Sequence, residues 1–493
     1  MAWTCMRDAA RITNPVEIPM KQQHRAMRTA LAVALTLALG ACASGPQFTS
    51  QDPSFKGRVG VTDTPVVLAG KPVTLAGSDF LPGQKVTLSY GGVELGQTAT
   101  ADKDGKFRTQ FVVPAEAEPG RYSLIASAAE PAASLLVPLK ISPDVALSGQ
   151  ERFDVRHQTL VPGLYQAGYS AKTDRIFVTS AVGRPPVTRS ELVRINAQTL
   201  AVEQRVTAPV APAPAARAGA PAAAAGNAPA LPPLFAVYGV GVDDANGNVW
   251  VTNTRQNTLA VYRQSDLALV KQFEPGVAPH SRDVLVDGQQ GKAYASTVGN
   301  AELPVFDAKK LSLLKKIPIK TSLRGRDVKD FSPMSLALHE AGSRLYVVSM
   351  GGEVAIIDTK TDTVEKVFAV DGVTGAAGIA YDAKNDRVFV AAQGSDNVVI
   401  VDAKTGKNVA NVQTGAGTLN VTFDPVKRLA YVANRASDTV TVLDADGKIV
   451  GNLDVGSLPN HIAVDGKGAA YVVNKARGGN DAEGDRVSRI TTR

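Results

Sequence analysis

From about residue 150 to the C-terminus, apolar and polar positions alternate with a period of two over runs of five to seven residues. Gly, Asp, Asn and Lys separate the runs. Short Val-, Ile- and aromatic-rich runs of this kind predict β-strands. The pattern repeats as a larger unit: an apolar strand, a polar turn, an aromatic-Val strand, a polar loop, a Val-rich strand ending in Asp, and a last strand. Four copies are plain. They pair 345–349 (Leu-Tyr-Val-Val-Ser) with 354–358, 388–392 (Val-Phe-Val-Ala-Ala) with 398–402, and 430–434 (Ala-Tyr-Val-Ala-Asn) with 440–444, and they end with 470–474 (Ala-Tyr-Val-Val-Asn). Weaker copies put Phe177, Trp250 and Tyr294 at the aromatic position of Tyr346, Phe389, Tyr431 and Tyr471. The steps between these markers are 73, 44, 52, 43, 42 and 40 residues. The long first step contains an Ala/Pro-rich run, 207–233, whose removal leaves an ordinary repeat. Seven units of about 40 residues, four strands each, predict a seven-bladed propeller over 150–493, because one blade cannot bury both of its faces without neighbours.

The segment 57–143 alternates in the same way but without the repeat, in runs cut by Pro and Gly turns: 72–77, 84–90, 106–113, 120–126 and 135–141. Six or seven short strands in so few residues predict a β-sandwich. Asp102 and Asp104 could be half of a calcium loop, but a lone D-x-D-G between two strands reads as a hairpin turn. The fold class is therefore all-β, a seven-bladed β-propeller preceded by a small β-sandwich, which a resemblance given below makes immunoglobulin-like.

Composition agrees: 493 residues with 44% hydrophobic and 20% charged exclude a disordered, collagen-like or multi-span membrane chain, and 44 Gly, 29 Pro and 5% aromatics suit many short strands. The formal net charge of +7 lacks the dense basic clusters of a dedicated nucleic-acid binder. Near the front, Lys21, Arg25 and Arg28 precede an apolar stretch from Ala30 to Leu39 and small residues before Cys42, the three parts of an export signal. A start at Met20 or Met27 gives that signal ordinary length. Cys5 and Cys42 are the only cysteines and both fall in or before the signal, so no disulfide is expected in the exported part. The expected organisation is signal over 1–41, tether over 42–56, sandwich over 57–143 and propeller over 150–493, the 207–233 insertion included.

Three resemblances follow from particular residues. Leu39-Gly40-Ala41-Cys42 resembles the bacterial lipobox, which implies a lipid anchor on Cys42; Ala43 after it implies the outer membrane, facing the periplasm or the cell surface. The stretches 77–83 (Gly-Ser-Asp-Phe-Leu-Pro-Gly), 102–107 and 119–122 resemble bacterial immunoglobulin-like spacer domains. A domain of that kind would hold the propeller away from a membrane. The Tyr-Val-x-Asn motifs at Tyr431 and Tyr471, with the segment order from Glu151 to Ile490, resemble the YVTN repeat of the bacterial YncE-like propellers over roughly the last 340 residues. That family resemblance implies ring closure by a strand near 153–155 pairing with 487–490. The lipobox, the sandwich and the insertion are departures from a bare family member.

Counting back from the aromatic markers places Tyr165, Tyr238, Arg282, Met334, Ala377, Leu419 and Asn460 at the start of the inner strands, followed by Gln166, Gly239, Asp283, Ser335, Gly378, Asn420 and His461. Loops expected on the same face supply Asn253, Arg255, Asn434, Arg435, Asn474 and Lys475, and the connection into the fourth blade adds Arg324, Arg326 and Lys329. The expected binding set is Tyr165, Tyr238, Arg255, Arg282, Asn420, Arg435, Asn460, His461 and Lys475, a basic mouth with two tyrosines suited to an anionic small molecule or a protein partner. A mixed polar rim that serves only solubility is the competing reading. Weak single-strand nucleic-acid binding is a further alternative, as is a metal-dependent hydrolase of the propeller lactonase kind acting through Asp283, Asn420, Asn460 and His461. The ring offers no glutamate, and His24, His157, His280, His339 and His461 form no zinc-type pair. No G-x-S-x-G elbow or G-x-x-x-x-G-K loop occurs. No catalytic residue, metal or cofactor is assigned. The strand-end residues Asp358, Asp402 and Asp444, and Asp382 and Asp424, recur by repeat and are read as turn residues.

Overall fold

Each repeat folds into a four-stranded antiparallel meander, and seven such sheets form the larger part of the chain. The computed structural model describes residues 54–184, 186–212, 231–325 and 329–493. The lipobox, Cys42, Cys5, Arg326 and most of the Ala/Pro-rich run lie outside the described residues. The inner strands are Leu164–Ser170, Val237–Asp243, Val284–Asp287, Pro333–His339, Ala376–Asp382, Thr418–Asp424 and Pro459–Val464, for blades 1 to 7. Each packs beside the inner strand of the next blade, and that of blade 7 beside that of blade 1. The ring closes covalently distant ends: Phe153–Thr159 is the outermost strand of blade 7 and pairs with Arg486–Thr492, with Val155 opposite Ile490. This is the pairing that the family resemblance implied.

The repeated aromatic residue explains why the blades stay together. It sits in the second strand of its blade and is buried against the next one. Trp250 of blade 2 meets Phe306 of blade 3 at 5.8 Å, and Tyr346 of blade 4 stacks on Tyr381 of blade 5 at 4.2 Å. Phe389 meets Phe423 at 5.3 Å, and Tyr471 lies over Tyr169 at 6.4 Å across the closure. Such side chains bury large areas, so they contribute strongly to holding neighbouring blades together.

Residues Arg58–Thr62, Pro72–Ser78 and Phe107–Val112 form a three-stranded sheet of the N-terminal domain. A five-stranded sheet is built on Lys85–Tyr90, Gly120–Ala128 and Ala133–Ile141. Alternate residues such as Val73, Leu75, Val86, Leu88, Leu124 and Val137 are buried, as the period-two pattern requires. Asp102 Oδ1 accepts the N–H groups of Asp104 and Lys106, which makes a turn.

This domain rests on loops that join second to third strands and blade to blade. Lys140 Nζ donates to Asp396 at 2.8 Å and to the Gln393 carbonyl at 3.1 Å, and in the connection that follows the domain Ser148 forms a bridge with Asn452 of the outermost strand of blade 6. Those loops border the mouth of the propeller, so the small domain flanks the mouth.

Candidate functional site

The mouth residues point inward because the inner strands are irregular where they begin. In six blades the register with the second strand slips after its first pair. The slip skips Tyr165 and Gln166, Tyr238 and Gly239, Met334, Ala377, Leu419 and Asn460. A bulge re-aims a side chain and frees its backbone from the ladder. Hydroxyls of the neighbouring strand take up the freed groups: Gln166 N–H donates to Thr179 Oγ1 at 3.1 Å and Gly239 N–H to Thr252 Oγ1 at 2.8 Å. In blade 3 the ladder starts only at Val284, and Ser296 Oγ accepts from both Arg282 and Asp283 N–H.

These side chains enclose a cavity of about 380 Å³. Tyr165, Gln166, Tyr238, Arg255, His280, Arg282, Met334, Leu419, Arg435 and Asn460 line it, joined by Thr254, Val298, Met350 and Gln393. Tyr165 and Tyr238 meet edge to face with ring centroids 4.0 Å apart. Arg255 Nε donates to Tyr238 Oη at 3.4 Å, Arg282 to the Ala377 carbonyl, and Arg435 to Asn460 Oδ1, while Asn460 Nδ2 donates to the Tyr165 carbonyl at 2.7 Å. Lys475 Nζ lies 3.7 Å from the Tyr165 ring centroid. Among the described residues no aspartate or glutamate lines the cavity.

Burial moves the ionisation equilibria, outweighing Asp283 at Arg282 and Asp485 at Lys475. It lowers the proton affinity of Arg282 and Arg435 and brings the Lys475 amine to about 8, where the Arg435 and Arg255 charges add to the effect. Burial, and then Tyr238, raises Tyr165, which stays a neutral phenol. His280 is lowered by burial and by Arg255.

The structure separates the sequence-predicted set into two levels. Tyr165, Tyr238, Arg255, Arg282, Arg435 and Asn460 line the mouth, with Lys475 against its Tyr165 wall. Asn420 and His461 lie one level deeper, with Asp283 and Ser335, in a channel cavity of about 370 Å³. There they are committed to the protein. Asn420 Oδ1 accepts the Ile462 N–H at 2.9 Å, and His461 Nδ1 faces the Ala167 N–H at 3.4 Å. Burial and Arg282 lower His461 to about 3, so it is neutral. Asp283 Oδ2 accepts from Ser335 Oγ and Leu336 N–H, and burial raises its pKa. The four groups of the hydrolase alternative thus do not converge as free ligands: Asn460 sits in the mouth with its oxygen on Arg435, and the other three hold neighbouring inner strands together. Among the described residues no three His, Cys, Asp or Glu side chains cluster for a metal.

The three loop asparagines also differ from expectation. Asn474 Nδ2 donates to the carbonyls of Val455, Gly456 and Ser457, Asn434 Nδ2 to the Thr414 carbonyl, and Asn253 Nδ2 to Gln272 Oε1. All three are buried and turned away from the mouth. Arg324 is exposed, and Lys329 lines a neighbouring depression with Asp330 and Met350. The lining residues that sequence reasoning missed had a signal. Thr254, Val298, Met350 and Gln393 each stand four residues after the aromatic marker of their repeat, the place that the expected Arg435 and Lys475 hold in theirs.

No protein-family model matches the chain, and no curated protein matches it. Among solved structures the chain is similar to U3-55K, at 9% identity over 69% of this chain and 98% of that one, with a TM-score of 0.51. It is also similar to virginiamycin B lyase from Staphylococcus aureus, at 13% identity over 69% of this chain and 99% of that one, with a TM-score of 0.50. The chain has the β-propeller fold. At such identities the likeness extends to the fold of the propeller alone.

Proposed function

We propose that the chain is a β-propeller binding module of the YncE-like kind, anchored through a lipid on Cys42 at the outer membrane, whose mouth takes an anionic ligand or the acidic surface of a protein partner. One observation carries the binding reading: Arg255, Arg282 and Arg435 converge on one cavity that, among the described residues, has no carboxylate in its lining. Each guanidinium has one of its five N–H donors engaged by the protein and is thereby held in place. The remaining donors form the forks that recognise carboxylate or phosphate. The cavity volume suits a small molecule or a protruding acidic side chain. The Tyr-Val-x-Asn motifs and the lipobox support the family and the anchor, and the two-sheet N-terminal domain supports the immunoglobulin-like reading.

Calorimetric titration of the exported chain with citrate, inorganic phosphate and an acidic peptide, each at low and at 0.15 M salt, tests the reading. Saturable binding that weakens with salt and is lost in the double variant Arg255→Gln, Arg435→Gln is the expected result. Equal affinities of parent and variant for every anion would remove it. A single-stranded oligonucleotide in the same series tests the nucleic-acid alternative, and palmitate labelling of the parent against Cys42→Ser tests the anchor.

A further inference from the structure

Lys475 occupies in blade 7 the place that Arg435 holds in blade 6, four residues after the aromatic marker. The residues at this place in blades 2 to 6 all line the mouth. Its backbone is fixed, since its N–H donates to the Leu458 carbonyl at 3.1 Å and the preceding Asn474 is tied by three hydrogen bonds. Its side chain is half-buried with the nitrogen against the face of Tyr165. Among the described residues this nitrogen makes no ion pair and no hydrogen bond. The nearby Asp485 spends its Oδ1 on the Gly163 and Ala476 N–H groups. An ammonium is a strongly hydrated group that normally keeps its three donors occupied. Burial and the neighbouring cations favour the uncharged amine, against the attraction of the ring face and of Asp485 for the charged form.

We propose that Lys475 captures the carbonyl group of an anionic aldehyde or keto acid as an imine, with the anionic end of the ligand held by the mouth arginines. The proposal rests on the anion-binding reading of the mouth. The amine nitrogen bonds to the carbonyl carbon, the C=O bond breaks, and the oxygen leaves as water with the two amine hydrogens; nothing is oxidised or reduced. Desolvated lysines beside other cations are nucleophiles of this type. The groups that face the amine are Arg435, Arg255 and Asp485, with Tyr165 beneath it. Burial and the two arginines outweigh Asp485 and bring the amine to about 8, so the free base is a substantial fraction near neutral pH.

The test treats the full exported chain with pyridoxal 5′-phosphate, traps imines with borohydride and maps the labelled peptides. Expected are preferential labelling of Lys475, a rate that rises with pH through about 8, and a loss of about tenfold or more in Arg255→Gln, Arg435→Gln. Pyridoxal without the phosphate should not show that dependence. Lys475→Arg keeps the charge and should still bind inorganic phosphate while losing the label. Labelling spread over surface lysines with no preference for Lys475 overturns the proposal. Phosphate titration of the same sample then separates the two failures: binding retained leaves the anion-binding mouth standing, and binding absent removes both.

Discussion

Replacing Arg435 by methionine should weaken anion binding and stabilise the protein at once. The guanidinium is half-buried, burial lowers its proton affinity, and among the described residues no carboxylate bonds to it. Removing an unpaired, partly desolvated cation relieves about 1–2 kcal/mol, the size of gain found where a binding site stores instability. Against this, Asn460 Oδ1 loses its donor, which costs about 1 kcal/mol or less because the site stays open to water. The net gain is about 1 kcal/mol. For a unit of roughly 440 residues the unfolding entropy is about 0.9 kcal/mol/K, so Tm should rise by about 1 °C. A charge-assisted contact to the ligand is worth about 1.5–3 kcal/mol, so Kd for citrate or phosphate should rise about 10- to 150-fold. Differential scanning calorimetry and titration calorimetry on the same preparation measure both. A variant with lower Tm and unchanged affinity would refute the reasoning, because it would make Arg435 a structural residue.

The remaining predictions concern the supports of that mouth. Lys475→Met should stabilise the fold below pH 8, with the advantage shrinking as pH rises from 8 to 10.5: in that window the unfolded chain holds a proton that the folded one has released, and native stability gains up to about 3 kcal/mol. Urea unfolding of both proteins at pH 7 and pH 10 checks this, and a gap independent of pH contradicts it. Asn474→Ala strips one donor from three buried-loop carbonyls and should cost about 2–3 kcal/mol, read by denaturation and by faster amide exchange around Ser457 and Leu458. Lys140→Met leaves Asp396 buried without its ion-pair partner and should cost about 3 kcal/mol, with most of it recovered in the double variant Lys140→Met, Asp396→Asn. Gly378→Ala sets a methyl 2.8 Å from Asn420 Cα of the next inner strand and should cost about 1–3 kcal/mol by thermal unfolding, since backbone rather than a side chain must yield.

Much of the mouth was legible in the repeat. The aromatic marker fixes the phase of every blade, so counting from it located Tyr165, Tyr238, Arg282, Met334, Leu419 and Asn460, all of which line the cavity. The count did not resolve depth. Asn420 and His461 follow directly after mouth residues in sequence, yet each is the first residue after its bulge that pairs again with the second strand, and so it faces the channel. Nor did it resolve side-chain direction in the loops. Asn434 and Asn474 are polar and adjacent to mouth cations, but a buried loop carbonyl needs a donor more than the rim needs an amide.

What the sequence determined by itself is periodic: strand positions, the seven repeats, the aromatic at each blade interface and the turn aspartates, among them Asp358 and Asp402, whose Oδ1 atoms accept the N–H groups of Thr361 and Thr405. These follow from local alternation and local hydrogen bonding, which need no knowledge of distant residues. Closing the ring decided the rest. Only then do Arg255 of blade 2, Arg282 of blade 3 and Arg435 of blade 6, far apart along the chain, share one cavity, with Lys475 of blade 7 against its Tyr165 wall. The low proton affinity of the amine at Lys475, the neutrality of His461 and the docking of Lys140 on Asp396 arise from burial and mutual charge across blades, which no linear pattern encodes.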